Sequence, residues 1–282
     1  MISVIIPFYN GAITLNRAVE SIKSQIFKDW ELILVDDGST DDSATLAQEY
    51  LNDSRIRYLF QFNQGVSAAR NYGVRNSIGG WLLFLDSDDY LEKDSLKIVN
   101  DKIQNAQECA YILFGMRRIK KDSILIQKPE DGKYFSKLAG TFVVRKSVFE
   151  EVGSYDIRLK FSENTELFHR IGLLGYLGKT NQSVILNYLD NPNGGSKNLQ
   201  NMIDSLLIIL EKHQNTLSSH VKYLYYQIIG VNYMRFQNFS KARKYLLKAF
   251  SFKPYKVSTL IRFSISLIPP LAKSLYPEKI KV

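Results

Sequence analysis

The sequence predicts an α/β fold: a Rossmann-like mixed sheet with helices on both faces, followed by an all-helical C-terminal region. Three observations carry this. Short β-rich runs alternate with helical patterns through the first half, which is how a sheet covered by helices reads in one dimension. Acidic or polar clusters follow three of those runs, at the sheet edge where open α/β folds bind ligands. Beyond the turn signal Asn191-Pro192-Asn193-Gly194-Gly195-Ser196 only helical periodicity remains.

In chain order, the strand candidates are Ser3 to Pro7, Glu31 to Val35, Ile56 to Phe60 and Trp81 to Leu85. Leu15, Ala18, Val19 and Ile22 recur at helical spacing between the first two, and Ser43 to Asn52 and Val66 to Asn76 supply two further helices. Ser39 followed by Asp42 reads as a capping box opening the second helix. A helix to about Ala106 precedes an apolar strand, Tyr111 to Phe114, and a basic hairpin-like stretch from Met116 to Lys128. Strand Thr141 to Val144, helices Ser147 to Val152 and Glu163 to Leu174, and strand Val184 to Leu189 complete a domain over residues 1–194. Residues 195–282 form the helical remainder. Within it, Gly230, Tyr233, Ala242, Leu246, Ala249 and Pro254 follow the spacing of one tetratricopeptide-like helical hairpin. The turn at Gly194-Gly195-Ser196 could hinge a segment that closes over a bound substrate.

Composition narrows the function classes. The 282 residues are 45% apolar and 23% charged, an ordinary globular balance that excludes collagen, coiled coil and wholesale disorder. One cysteine, Cys109, excludes a disulfide framework and a Cys-rich zinc site, and three scattered histidines leave carboxylates as the only plausible metal ligands. The opening MISVIIPFYNG lacks a basic leader region and breaks at Pro7, so it reads as a buried strand, and a cytoplasmic location is expected. The net charge of +9 is uneven: 23 basic against 25 acidic residues up to Gly194, then 14 against 3. A basic surface of that kind meets an anionic partner, or is simply a solvated helical face. Thr259 to Leu271 is apolar but contains Arg262 and Pro269-Pro270, too short and too interrupted to span a bilayer. It reads equally as a helix docked on the domain or as one lying in the headgroup layer, flanked by Lys253, Lys256, Lys273, Lys279 and Lys281. Nucleic acid is not an expected partner, because no zinc, helix-turn-helix or RNA-recognition signature accompanies the charge.

The chemistry is expected where the strands end. Pro7-Phe8-Tyr9-Asn10 follows the first, Asp36-Asp37-Gly38-Ser39-Thr40-Asp41 the second, and Asp86-Ser87-Asp88-Asp89 the fourth. Each alone could be a turn or a helix cap; together on one edge they make a site. Crowded carboxylates raise one another's pKa unless a cation neutralises them. With oxygen ligands only, that cation is Mg2+ or Mn2+, whose shell is completed by water and substrate phosphates.

The ordered blocks VIIPFYNG, ELILVDDGSTD, NQGVSAARNYG, WLLFLDSDD and GSYDIRLKFSENTELFHR resemble the family-two inverting glycosyltransferases of the GT-A fold, many of which build bacterial surface polysaccharides. The resemblance runs from Met1 to about Leu189 and leaves the basic tail outside. It implies a nucleotide base against Pro7, Tyr9 and Asp37, with Arg70 near the base or diphosphate. In the DxD element it implies Asp86 on the ribose side with Ser87 beside the donor, and Asp88 with Asp86 at the metal. A ring can lie on Tyr9 while the Asp37 carboxylate accepts from a uracil imide, favouring a UDP-sugar.

An inverting transfer needs a base to take the acceptor proton. Here the chain departs from the resemblance: the usual Glu-Asp pair reads Glu163-Asn164, and an amide is no base. Glu163 is the expected replacement, with Asn164 hydrogen-bonding the acceptor, and Glu166 a second candidate sharing its helical face. The Gln-x-x-Arg-Trp motif of processive relatives is missing, so single additions are expected. The resulting expectation is a hexosyl- or N-acetylhexosaminyl-transferase that uses a UDP-sugar and a divalent metal on a glycan, lipid-linked acceptor. It would sit peripherally on the inner face of the cytoplasmic membrane, with an anionic membrane surface as partner; a homo-oligomer is allowed. A DxD phosphotransferase and an impaired nucleotide-sugar-binding or scaffold protein are the alternatives.

Overall fold

Strands that are apolar on both faces are stable only where helices cover both sides of the sheet. The computed structural model, which describes residues 1–121, 123–189 and 198–278, has that arrangement. β1 (Ile2–Phe8), β2 (Trp30–Asp36), β3 (Ile56–Phe60) and β4 (Trp81–Phe84) run parallel in the spatial order β3-β2-β1-β4. Helices α1 (Leu15–Lys23), α2 (Ser43–Gln48) and α3 (Val66–Arg75) connect them. The pleat of β1 divides its side chains between two cores. Ile2, Val4, Ile6 and Phe8 pack with Leu15, Val19 and Ile22 of α1, whereas Ile5 packs with Val35, Ala69 and Val74 on the α3 side. Each such side chain contributes roughly 1.5–3 kcal/mol on burial.

The sheet becomes mixed beyond β4. β8 (Phe142–Arg145) lies antiparallel between β4 and β6 (Tyr111–Lys120), and β9 (Gly178–Leu189) runs parallel to β6. β5 (Tyr90–Leu91) pairs antiparallel with β9, and β7 (Ser123–Gln127) closes the expected hairpin with β6. Helices α4 (Ser95–Gln104), α5 (Lys146–Glu151) and α6 (Glu163–Leu173) complete this part. Two local expectations fail. α2 stops at Gln48 instead of Asn52, because Asp53 folds back to accept from the backbone and side chain of Arg55. The capping box does not form: Asp42 makes no side-chain cap bond, and the Ser39 hydroxyl accepts the Asn10 N–H instead.

The chain divides into two compact units, Met1–Ile157 with Glu163–Asn191, and Arg158–Ser162 with Pro192–Val282. The expected boundary turn, Asn191 to Ser196, and the hinge placed there lie outside the described residues. The inserted pentapeptide was not foreseen: Leu159 joins the second core, and Lys160 N–H donates to Ser205 Oγ at 3.0 Å. The second unit comprises α7 (Leu199–Lys212), α8 (Ser219–Arg235), α9 (Phe239–Phe252), α10 (Val257–Ser266) and α11 (Pro269–Leu275). Asn198, Ser218 and Asn238 cap the first three through their side chains, as short polar N-caps do. Gly230 lets α8 and α9 approach: a Cβ there would lie 2.8 Å from Leu246 Cγ.

Candidate functional site

The three polar clusters meet at the C-terminal edge of the parallel strands, and backbone hydrogen bonds lace their loops together. Asn10, with φ of 51°, turns the chain out of β1, a left-handed conformation that Asn tolerates. Its side-chain oxygen accepts Thr40 N–H at 2.8 Å, and Gly11 N–H donates to Ser43 Oγ at 2.8 Å. Ala12 N–H donates to Asp41, so the loops after β1 and β2 form one platform. Gly11 lies beside the DxD loop, where a Cβ on it would meet Ser87 Oγ at 3.4 Å. Pro7 is buried within β1, and Tyr9 is 52% exposed at the edge, open to a ligand ring.

Asp37 is buried and already engaged. Its Oδ1 accepts from Gln61 Nε2 at 2.7 Å and from Gln64 N–H at 2.9 Å, and its Oδ2 from Gly65 N–H at 2.8 Å. In this structure the carboxylate therefore fixes the loop that leads into α3. Asp36, which sequence reasoning passed over, is likewise buried, accepting from Ser39 N–H at 2.7 Å and Tyr58 Oη at 2.9 Å. Burial and the Asp36 carboxylate push the Tyr58 hydroxyl up to about 12, so it stays a donor.

Arg70 is the centre of the arrangement. Helix α3 carries it inward until only 2% is exposed, and its fork bridges two carboxylates: Nη2 to Asp86 Oδ1 at 2.6 Å and Nη1 to Glu163 Oε1 at 3.0 Å. The guanidinium lies 5.5 Å from the centroid of the buried Tyr155 ring. Burial alone would lower its pKa, but Asp86, Tyr155 and Glu163 raise it well above the ordinary arginine value, and the group is a permanent cation. One buried charge thus joins the end of β4 to the start of α6. The sequence placed Arg70 near the nucleotide base or diphosphate; the structure places it between the DxD aspartate and Glu163.

Helix α6 sorts the other two candidates differently. Glu166 is buried and paired with Arg170, whose Nε and Nη2 donate to it at 2.8–3.1 Å. Arg170 in turn donates to the carbonyls of Val152 and Ser154. Glu166 is therefore corrected from a candidate base to the anchor of α6 on the preceding turn. Asn164 is 7% exposed, and its Oδ1 accepts the Tyr155 hydroxyl at 2.7 Å. Its amide oxygen is thus engaged inside the protein, which leaves only its Nδ2 hydrogens to donate. Tyr155 is held in turn by Asn71, which exchanges two hydrogen bonds with its backbone at 2.9 and 3.0 Å. The only sequence signal for Tyr155 was its place in the GSYDIR block. Glu163 remains at the helix start, 16% exposed, and its second oxygen accepts no hydrogen bond among the described residues.

The DxD loop brings three carboxyl groups, Asp86, Asp88 and Asp89, close together. Asp86 is 38% exposed and shares Arg70, while Arg17 donates to the Asp88 carbonyl at 2.7 Å. Asp89 is buried and accepts Leu189 N–H at 2.8 Å; burial, with the charges of Asp86 and Asp88, pushes its carboxyl up to about 9. Asp86 and Asp88 offer oxygen donors only, the donor set a divalent Mg2+ or Mn2+ takes, so the residues present fit one. Among the described residues no three His, Cys, Asp or Glu are grouped to enclose an ion. The protein would then furnish few ligands and leave the others to water and phosphate.

Comparisons with known proteins bear on this edge. The Glycosyl transferase family 2 model matches residues 3–164. Chondroitin synthase from Escherichia coli is 35% identical over 138 residues, 49% of this chain and 20% of the synthase. The chain spans 15–16% of the length of three further curated relatives. Among solved structures, Staphylococcus aureus TarS 1–349 in complex with UDP-GlcNAc matches with a TM-score of 0.66 at 17% identity, covering 99% of this chain and 93% of that one. The mannosyltransferase PcManGT from Pyrobaculum calidifontis, in complex with GDP-Man and Mn2+, matches with a TM-score of 0.62 at 14% identity, covering 99% and 88%. At these identities the structural likeness speaks for the fold, and the family match speaks for the sequence blocks at the sheet edge. The chain belongs to glycosyl transferase family 2 and has the GT-A fold.

Proposed function

We propose that the protein is an inverting glycosyltransferase that moves a single hexosyl or N-acetylhexosaminyl unit from a UDP-sugar to a glycan acceptor. The observation that carries this is the Arg70 bridge, which sets a donor-side carboxylate, Asp86, and a free-edged carboxylate, Glu163, on one buried guanidinium. Tyr9 offers a ring face to the nucleotide base, with Pro7 behind it and Asp37 shaping the adjoining loop. Asp86 and Asp88, with Ser87 between them, would hold a Mg2+ or Mn2+ ion, and such an ion supplies electrostatic stabilisation of the departing diphosphate. Glu163 takes the proton from the acceptor hydroxyl as that oxygen attacks the anomeric carbon from the side opposite the diphosphate. The complexes of TarS with UDP-GlcNAc and of PcManGT with GDP-Man support a nucleotide-sugar donor. The chondroitin synthase relative supports a polysaccharide acceptor.

The second unit supports a lipid-linked acceptor and a peripheral position on the inner face of the cytoplasmic membrane. No described helix is long and apolar enough to cross a membrane. α10 packs on the core through Phe263 and Ile265, and its fully buried residues are the polar Thr259 and Ser266, with Thr259 bonded to Tyr223 and Gln227. Val257, Leu260, Ile261, Leu267, Ile268 and Leu271 are 41–65% exposed. An outward apolar face beside Lys253, Lys256, Arg262 and Lys273 matches an anionic headgroup layer. The donor assignment is tested by calorimetric binding of UDP-, GDP- and dTDP-sugars with Mn2+ and with chelator. UDP-sugar binding that needs the ion is expected. Preference for another nucleotide would overturn the donor, and no nucleotide-sugar binding would overturn the function.

A further inference from the structure

A second cavity lies in the same unit, away from the DxD edge. The loop over residues 129–137 and the N-terminal ends of β6 and β9 enclose about 240 Å³. Its lining is mainly polar, with Asp131, Thr180 and Lys137, and also includes the rings of Tyr111 and Phe135. Gly178 makes room for the Tyr111 ring, because a Cβ at that position would fall 2.1 Å from two ring carbons. The two neighbouring lysines are charge-paired, Lys133 with Glu130 at 2.5 Å and Lys179 with Glu108 at 2.5 Å, and Asp131 accepts the Thr180 hydroxyl at 2.8 Å. Lys137 is the exception. Among the described residues it has no hydrogen bond and no ion pair, only the Phe168 ring 5.3 Å from its ammonium. Burial pushes the Lys137 ammonium below the usual lysine range, a cost that a bound anion would offset. Tyr111 is in register with Val144, and Val144 with Leu82, four residues before Asp86. At ~3.3 Å per residue the cavity floor lies roughly 13 Å down the sheet from the DxD loop and two strands across.

We propose that this cavity is a saccharide site separate from the donor edge, taking a sugar unit that bears one carboxylate or phosphate. The apolar face of a pyranose packs on Tyr111 and Phe135, Lys137 pairs with the acidic group, and Asp131 and Thr180 meet hydroxyls. The test uses the full chain and four probes, glucuronic acid, glucose 6-phosphate, glucose and inorganic phosphate, titrated by NMR against wild type, Lys137→Met and Lys137→Arg. UDP binding and thermal melting report whether each variant is folded. At least one acidic sugar should bind about tenfold more tightly than glucose, and which one does identifies the anionic group. Lys137→Met should lose about that factor, and Lys137→Arg should keep most of it. Equal affinity for glucose, equal affinity for inorganic phosphate and glucose 6-phosphate, an unaffected Lys137→Met, or no binding at all would each overturn the proposal. None of these outcomes bears on the donor edge, which UDP binding reads separately.

Discussion

At Arg70 a single side chain decides whether two carboxylates are tolerable where they stand. Its two terminal nitrogens satisfy Asp86 and Glu163 from a position 2% exposed, and a point-charge lysine cannot reproduce the fork. Removing it leaves both carboxylates without their cation, and because water reaches Asp86, which is 38% exposed, the loss costs roughly 1–3 kcal/mol, less than for a fully buried pair. Arg70→Met is therefore expected to lower stability by about that range in denaturant titrations, and Arg70→Lys to recover only part of it. A change under ~1 kcal/mol in Arg70→Met would show that the bridge is not held as described. The sequence made the ingredients of this site legible because the aspartates follow a strand and Arg70 and Glu163 stand in the blocks GVSAARN and FSENTELFHR. It could not show their pairing. Nothing in the spacing of Arg70, Asp86 and Glu163 says that one guanidinium touches both carboxylates. The outcomes at Glu166 and Asn164 were hidden for the same reason: their partners, Arg170 and Tyr155, are set by how α6 packs.

At the scale of elements, the opposite end of the sheet is stapled by Glu31 at the start of β2. Its carboxylate accepts from Ser3 Oγ at 2.6 Å, from Ile78 and Gly79 N–H at 2.6 and 3.1 Å, and from Arg57. Burial alone would raise its pKa, but the hydrogen bonds from Ser3, Ile78, Gly79 and Arg57 together hold it below the model-peptide value of 4.5. A carboxyl held low when folded contributes stability that is complete above the unfolded value and is lost as pH falls through the folded one. The staple should therefore weaken below about pH 4.5. Glu31→Gln is expected to cost roughly 1–3 kcal/mol at pH 7 and to flatten the acid side of a stability-against-pH curve. An unchanged acid limb would contradict this. The parallel strands were readable because each is a short run rich in apolar and β-branched residues between turn signals. The lower part of β9 was not: Gly178 to Ser183 is polar and partly exposed, and it is a strand because β6 offers a partner. α2 was overestimated because its helical periodicity runs past the point where Asp53 and Arg55 close a turn.

On the scale of the whole molecule, charge and chemistry are segregated: the carboxylate-rich edge belongs to one unit and the basic, outwardly apolar helices to the other. The charge split was plain in the sequence. That α10 leaves Val257, Leu260 and Ile261 exposed was not, because periodicity shows which residues share a face and not which face is buried. If that face meets lipid, the chain should sediment with vesicles containing phosphatidylglycerol and not with neutral ones. Leu260→Ser with Leu267→Ser should then reduce the bound fraction without changing UDP binding. Equal sedimentation of wild type and variant would contradict the membrane reading. The central claim concerns Glu163, and the most direct measurement compares donor binding and sugar turnover in wild type and Glu163→Gln, with Mn2+ present and a polysaccharide-derived acceptor supplied. The account predicts that UDP-sugar affinity is retained while turnover falls by about 10²–10⁴, the usual weight of a general base. Turnover undiminished in Glu163→Gln would contradict the assignment of the base and with it the reading of the Arg70 bridge as the joint between donor and acceptor sides.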